Sequence, residues 1–217
     1  GSQATLASGA LVTMNNASGG FDYDPNGAFS LASGQVGTDT FTYRVDDGNG
    51  GTAEADVTVS ITGVNSLQED WRLLYYGDIA NSGPGANSAT AVNGLTNLQN
   101  FALDLDPTVV AGILDVDQSA GTISTLGPPK VWVDPATGRI YLQHTRRGDF
   151  AAISLTITDQ FSRDLGVFED SSVAPTVIAT GTGDSGVAIE AVQTEFPLIL
   201  PVSGGKGRFG RVDVTNP

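Results

Sequence analysis

Residues 39–65 read DTFTYRVDDGNGGTAEADVTVSITGVN, and this stretch decides the fold. Phe41, Tyr43 and Val45 alternate with polar or charged neighbours. A second alternating run follows, with Ala53, Ala55, Val57, Val59 and Ile61 on one face and Glu54, Asp56, Thr58, Ser60 and Thr62 on the other. Successive side chains of a strand point to opposite faces, so period two built from Val, Thr and aromatics signals two strands. Between them, Asp46-Asp47-Gly48-Asn49-Gly50-Gly51 supplies residues that accept positive φ, as a tight reversal requires. The segment is predicted to be a β-hairpin.

Working upstream, GGFDYDPNGAF (19–29) reads as a strand beginning at Phe21–Tyr23 and a turn at Asp24-Pro25-Asn26-Gly27. ATLASGALVT (4–13) gives two short strands around Ser8-Gly9. On the motifs at 19–29 and 41–65 the chain closely resembles the bacterial cadherin-like (VCBS/Ig-like) repeats found in tandem in very large secreted adhesins. The resemblance covers residues 3–64. It implies an extracellular or cell-surface setting and an immunoglobulin-like β-sandwich used as a spacer or adhesion module, often rigidified by calcium. It does not imply catalysis. Members of that family usually carry further strands before this point. An incomplete sandwich leaves an exposed edge, and exposed edges recruit partners, so association with a neighbouring chain is expected.

Composition narrows the function classes. In 217 residues there are 10 Lys+Arg against 24 Asp+Glu, a formal net charge of −14. So acidic a chain argues against nucleic acid and anionic lipid as partners; it suits cation binding or simple solubility equally. The absence of Cys removes disulfides, thiolate catalysis and Cys-based zinc sites. No stretch approaches the ~20 apolar residues of a membrane helix, so no membrane insertion is expected. Gly1-Ser2 has the look of a cloning scar and no signal peptide is present, so the chain is expected to be part of a longer protein. Pro217 is expected to stand close to the natural C-terminus.

Residues 65–107 change character. Ser66 with Glu69 forms a capping box ahead of Leu67, Trp71 and Leu74, and Gly77 sits where a C′ glycine belongs. A Ser/Gly/Asn/Ala loop leads to a second short helix over 96–103, ended by Asp106-Pro107. Asn93-Gly94-Leu95-Thr96-Asn97-Leu98, Phe101-Ala102-Leu103 and Asp106-Pro107 resemble a C-terminal module of secreted bacterial proteins that carries a thrombospondin type 3 or dockerin-like calcium loop. The ending GRFGRVDVTNP (207–217) is similar to that module's last strand. In the loop, however, Ala89 and Ala91 stand where carboxylates belong, and Asn100 at the twelfth position. Calcium needs several carboxylate oxygens, so the loop is expected to keep its shape without its metal.

Residues 108–217 read as strands at 130–133, 139–144, 153–158, 177–179, 187–192, 196–201 and 207–214, with turn clusters between them, which suggests a second sandwich.

Candidate chemistry is thin. Asp46, Asp47 and Asn49 at the hairpin turn, with Asp22 and Asp24 on the preceding strand and Asp39 on the next, form one candidate calcium set. Asp104 and Asp106, with Asp115 and Asp117 beyond, form a second. Turn chemistry or plain solvation explains the same residues. Gly183-Asp184-Ser185-Gly186 is similar to the nucleophile loop of trypsin-like proteases, but that mechanism needs a His base and a buried Asp. The one His, His144, lies in a predicted strand with no matching surroundings, so a plain turn is expected. Gly204-Gly205-Lys206-Gly207 fails the P-loop spacing. Trp71, Tyr75, Tyr76, Trp132 and Tyr141 serve either as core or as a sugar-stacking platform. Asp-Pro bonds at 24–25, 106–107 and 134–135 suit turns and helix ends, or self-cleavage.

The expected fold is mainly β: an incomplete immunoglobulin/cadherin-like β-sandwich (3–64), a helical connector with a degenerate calcium-type loop (65–107) and a C-terminal β-sandwich (108–217). The expected function is a non-enzymatic structural or adhesion module from the C-terminal part of a large secreted or cell-surface bacterial protein, with calcium as its stabilising ion. A cell-surface protein, a glycan or a second copy is the expected partner. The alternatives are a carbohydrate-binding region of a secreted enzyme and a self-processing module.

Overall fold

The computed structural model describes residues 2–15 and 19–216. Gly1 and Pro217, read above as a cloning remnant and a near-natural end, lie outside the described residues. The chain is mainly β and divides into two compact units, 1–79 and 80–217.

The first unit contains β1 (Gln3–Thr5), β2 (Leu11–Asn15), β3 (Gly20–Asp24), β4 (Val36–Asp46), β5 (Thr52–Thr62) and the helix α1 (Leu67–Tyr76). β1, β2 and β3 form one antiparallel sheet, and β4 and β5 form another. The predicted hairpin is present with an unbroken register from Val36↔Thr62 to Asp46↔Thr52. Its inward face is half-buried at Phe41, Val57, Val59 and Ile61, but Tyr43, Val45, Ala53 and Ala55 are exposed. The turn half of the hairpin therefore projects beyond the packed part. Phe21 meets Phe41 edge-on at 5.2 Å. An open space of about 220 Å³ remains between the two sheets, lined by Leu6, Val12, Met14, Phe41 and Tyr43 among others. α1 is capped as predicted: Ser66 and Glu69 exchange both bonds of a capping box, and Gly77 closes the helix at φ 71°. That left-handed conformation suits glycine, which lacks the Cβ that would clash.

The second unit contains α2 (Asn97–Leu103), β6 (Asp115–Asp117), β7 (Thr122–Thr125), β8 (Lys130–Val133), β9 (Ile140–Arg147), β10 (Thr156–Ser162), β11 (Glu169–Asp170), β12 (Thr176–Thr182), β13 (Ala188–Glu195) and β14 (Phe209–Thr215). One sheet runs β6-β7-β12-β13-β9-β8 and a second runs β11-β10-β14. Leu103, Leu105, Leu142, Phe161, Phe196, Leu200 and Val212 form one buried cluster that joins the end of α2 to both sheets.

Three expectations change. The stretch 65–107 is divided between the units: α1 belongs to the first, where its Asp70 accepts from Ser33 N and Asn65 Nδ2, and α2 belongs to the second. Residues 196–201 are a loop rather than a strand, because Pro197 and Pro201 have no N–H to give a ladder and Leu200 and Gly204 close a turn on each other. Asp115–Asp117, read as a solvated loop, is the strand β6.

Candidate functional site

In the first unit, β3 and β4 run in opposite directions, since Phe21 contacts Phe41 while the Tyr23 hydroxyl donates to Asp39 at 2.8 Å. Asp24 therefore stands at the Asp39 end of β4. Asp46 lies seven residues further along, about 23 Å at the rise of a strand. The candidate calcium set Asp22, Asp24, Asp46, Asp47 and Asn49 is not gathered at one end. Its oxygens are also engaged locally. Asp47 Oδ1 accepts from the backbone N–H of Asn49 (2.8 Å) and Gly51 (2.9 Å), Asp46 Oδ1 from Gly48 (2.7 Å) and Asp24 Oδ1 from Asn26 (2.8 Å). Those backbone donors hold the Asp47 carboxyl below its usual value. Asp39 is the true junction. It accepts from Ser8 Oγ at 2.7 Å and from Tyr23, which lower its carboxyl, while burial and the Asp39 bond push the Tyr23 phenol up to about 12.

In the second unit, Asp104 and Asp106 separate. Asp104 is fully buried at the C-terminus of α2, in a left-handed conformation at φ 52°. It accepts from Ser185 Oγ and from the Ser185 N–H (3.3 Å), and Arg147 stands 3.4 Å away. Burial nonetheless raises its carboxyl above the usual value. Arg147 is itself buried, bonded to Asp149 at 2.9 Å and stacked 4.5 Å above the Phe101 ring. Asp106 turns the other way and accepts from Thr108 N and Oγ1, while its own N–H donates to Asp184 at 2.8 Å. Asp117 caps the β6–β7 turn. Among the described residues, no group of three or more His, Asp or Glu is placed to hold a metal ion. The degenerate loop is closed by amides: Asn93 Nδ2 donates to Asn100 Oδ1 (2.6 Å) and Asn100 Nδ2 to Asn93 Oδ1 (3.2 Å).

The chain does contain a Ser, a His and buried Asp residues, but not as a relay. Ser185 gives its hydroxyl to Asp104. His144 is 1% exposed, with Nδ1 facing the Thr145 carbonyl (2.8 Å) and Nε2 facing Asp159 (2.9 Å), whose other oxygen accepts from Thr194. His144 stands three residues along β9 from Arg147, roughly 10 Å of strand and on the opposite face. With 15 residues between His144 and Asp159, no sequence spacing announces the pair. At the three Asp-Pro sites each carboxylate accepts from the N–H two residues on, which is Asx-turn chemistry.

The aromatics split into two groups. Trp71 is buried in the first unit beside Tyr75 and Tyr76, at 5.1 and 6.1 Å. Trp132 and Tyr141 are half-buried cross-strand partners at the β8 edge of the six-stranded sheet.

A family model described as Bacterial Ig domain matches residues 1–60. That match supports a bacterial immunoglobulin-like domain in the first unit, of a kind typically non-catalytic and commonly found on extracellular proteins. Comparison with curated proteins and with solved structures finds no match. No helix among the described residues is long and apolar enough to cross a membrane.

Proposed function

We propose that the chain is a non-enzymatic structural and adhesive module from the C-terminal part of a large secreted or cell-surface bacterial protein. The match of residues 1–60 to a bacterial Ig domain carries this reading. The chemistry is consistent with it: Ser185, His144, Asp104 and Asp159 each spend their polar atoms on neighbours inside the fold, in two separate networks. The two-stranded sheet of β4 and β5 supplies the contact surface in this proposal. Each strand has eleven residues and, among the described residues, one edge without a partner strand, a template for a strand from a partner chain or a second copy.

The test is retention of beads coated with the whole chain on bacterial cell layers under flow. Saturable retention that free chain competes away, unchanged in the Ser185→Ala variant, supports the proposal. Beads that wash off like albumin-coated controls sink it.

A further inference from the structure

The six-stranded sheet carries a row of side chains with no role in the packing described above. Trp132 on β8 and Tyr141 on β9 are directly opposed, with rings 5.7 Å apart and tilted by 39°. Opposite Tyr141 on β13 stands Glu195, which holds Arg139 at 2.9 Å; both members of this pair are well exposed, at 41% and 59%. Two residues along the same strands, Gln143 and Gln193 are opposed, and Gln193 Oε1 accepts from Gln143 Nε2 at 3.1 Å and from Gln118 Nε2 at 3.4 Å. Directly opposed residues, and residues two apart on a strand, share one face. One face therefore bears an aromatic step with an exposed ion pair beside it, and next to them the half-buried Gln193 rests on Gln143, which is 1% exposed.

We propose that this face binds a neutral, soluble polysaccharide, with sugar rings laid on Trp132 and Tyr141. A pyranose has an apolar C–H surface and a rim of hydroxyls that both donate and accept, so it needs an aromatic surface with donors and acceptors beside it. Arg139 supplies donors and Glu195 supplies acceptors, and both are exposed beside the rings. The charges of Arg139 and Glu195 cancel locally, and a chain of net charge −14 repels polyanions, which selects neutral sugars. Two rings tilted by 39° cannot both lie on one flat crystalline surface, which selects a soluble chain. The inference adds a ligand class to the adhesive proposal and stands on the second unit alone.

The test is affinity electrophoresis of the whole chain through gels containing hydroxyethyl cellulose, galactomannan, arabinoxylan or laminarin. At least one polymer is expected to retard the chain. Trp132→Ala is expected to weaken that retardation tenfold or more and Glu195→Gln three- to tenfold, with Asp47→Ala unchanged. Should Trp132→Ala fail to fold, Glu195→Gln and Tyr141→Ala, checked by their melting temperatures, carry the test. No retardation by any of the four polymers overturns the proposal, as does retardation that survives Glu195→Gln and Tyr141→Ala in folded protein, or binding to the polyanion alginate alone. Beads retained on cells without polysaccharide binding would remove this inference and leave the adhesive one standing; polysaccharide binding without retention would do the reverse.

Discussion

Asp104 and Asp47 are both aspartates, yet folding moves their carboxyls in opposite directions. Asp47 sits in a solvent-exposed turn, where two backbone N–H groups favour its ionised form and lower it. Asp39, Asp117, Asp134 and Glu169 are lowered by side-chain and backbone donors in the same way. A carboxyl lowered by folding contributes stability above its unfolded value, 3.8 for Asp, and loses it as pH falls through the folded value. Asp104 is buried and raised, so between 3.8 and its folded value the native state holds more protons than the unfolded one. Its contribution falls as pH rises through that window and then levels. The melting temperature of the second unit should therefore rise from acid to about pH 4 and then sag. Asp104→Asn should remove the sag, while Asp104→Ala, which leaves the Ser185 hydroxyl and N–H without their acceptor but keeps Arg147 paired with Asp149, should cost about 1–3 kcal/mol in a urea titration at pH 7. A wild-type profile with no fall above pH 4 would contradict this account. His144→Ala removes the buried ring that faces Asp159 and leaves that carboxyl with Thr194 alone, which should cost about 1–3 kcal/mol in the same titration.

At the scale of single elements, local rules did well and long-range pairing stayed hidden. The β4–β5 hairpin was legible because period two and a Gly/Asn turn are contained in one short stretch. The cap of α1 was legible because Ser66–Glu69 is a signal contained in one turn of chain; α2 carries the same kind of box at Thr96–Gln99, which is absent from the sequence-based expectations. Residues 196–201 misled because Leu198, Ile199 and Leu200 look like a strand, although the flanking prolines forbid a ladder and Leu198 and Ile199 are each 73% exposed. The spread of the candidate calcium set was hidden for a topological reason: antiparallel β3 and β4 carry Asp24 and Asp46 to opposite ends. The Asp104–Ser185 contact, which spans 81 residues, had no local trace. That contact also explains Gly183. A Cβ there would lie 2.0 Å from Asp104 Oδ2, a distance at which something must move. Gly183→Ala should destabilise by about 1–3 kcal/mol through overpacking, against about 1 kcal/mol for loss of the Ser66 cap in Ser66→Ala. Chemical denaturation followed by circular dichroism checks both, and a neutral Gly183→Ala would remove the packing explanation.

For the whole molecule, charge is the quantity that invites a metal and geometry the one that withholds it. Twenty-four acidic residues against ten basic ones form a surface that attracts cations diffusely. Site binding of calcium asks for six to eight oxygens around one point. Here the exposed turn carboxylates give their oxygens to N–H groups of their own turns, the two acidic groups of the first unit are about 23 Å apart along β4, and the Asn93–Asn100 amide pair closes the loop where a metal would sit. A ligand that binds only the folded state at a hundredfold above its Kd adds about 2.7 kcal/mol, which moves the melting temperature of a domain this size by several degrees. Millimolar calcium against EDTA should therefore shift the melting temperature by less than about one degree, the response of diffuse screening rather than of a site. A rise of several degrees that Asp47→Ala abolishes would show that the hairpin turn opens to take the ion, and it would return calcium to the account of this protein.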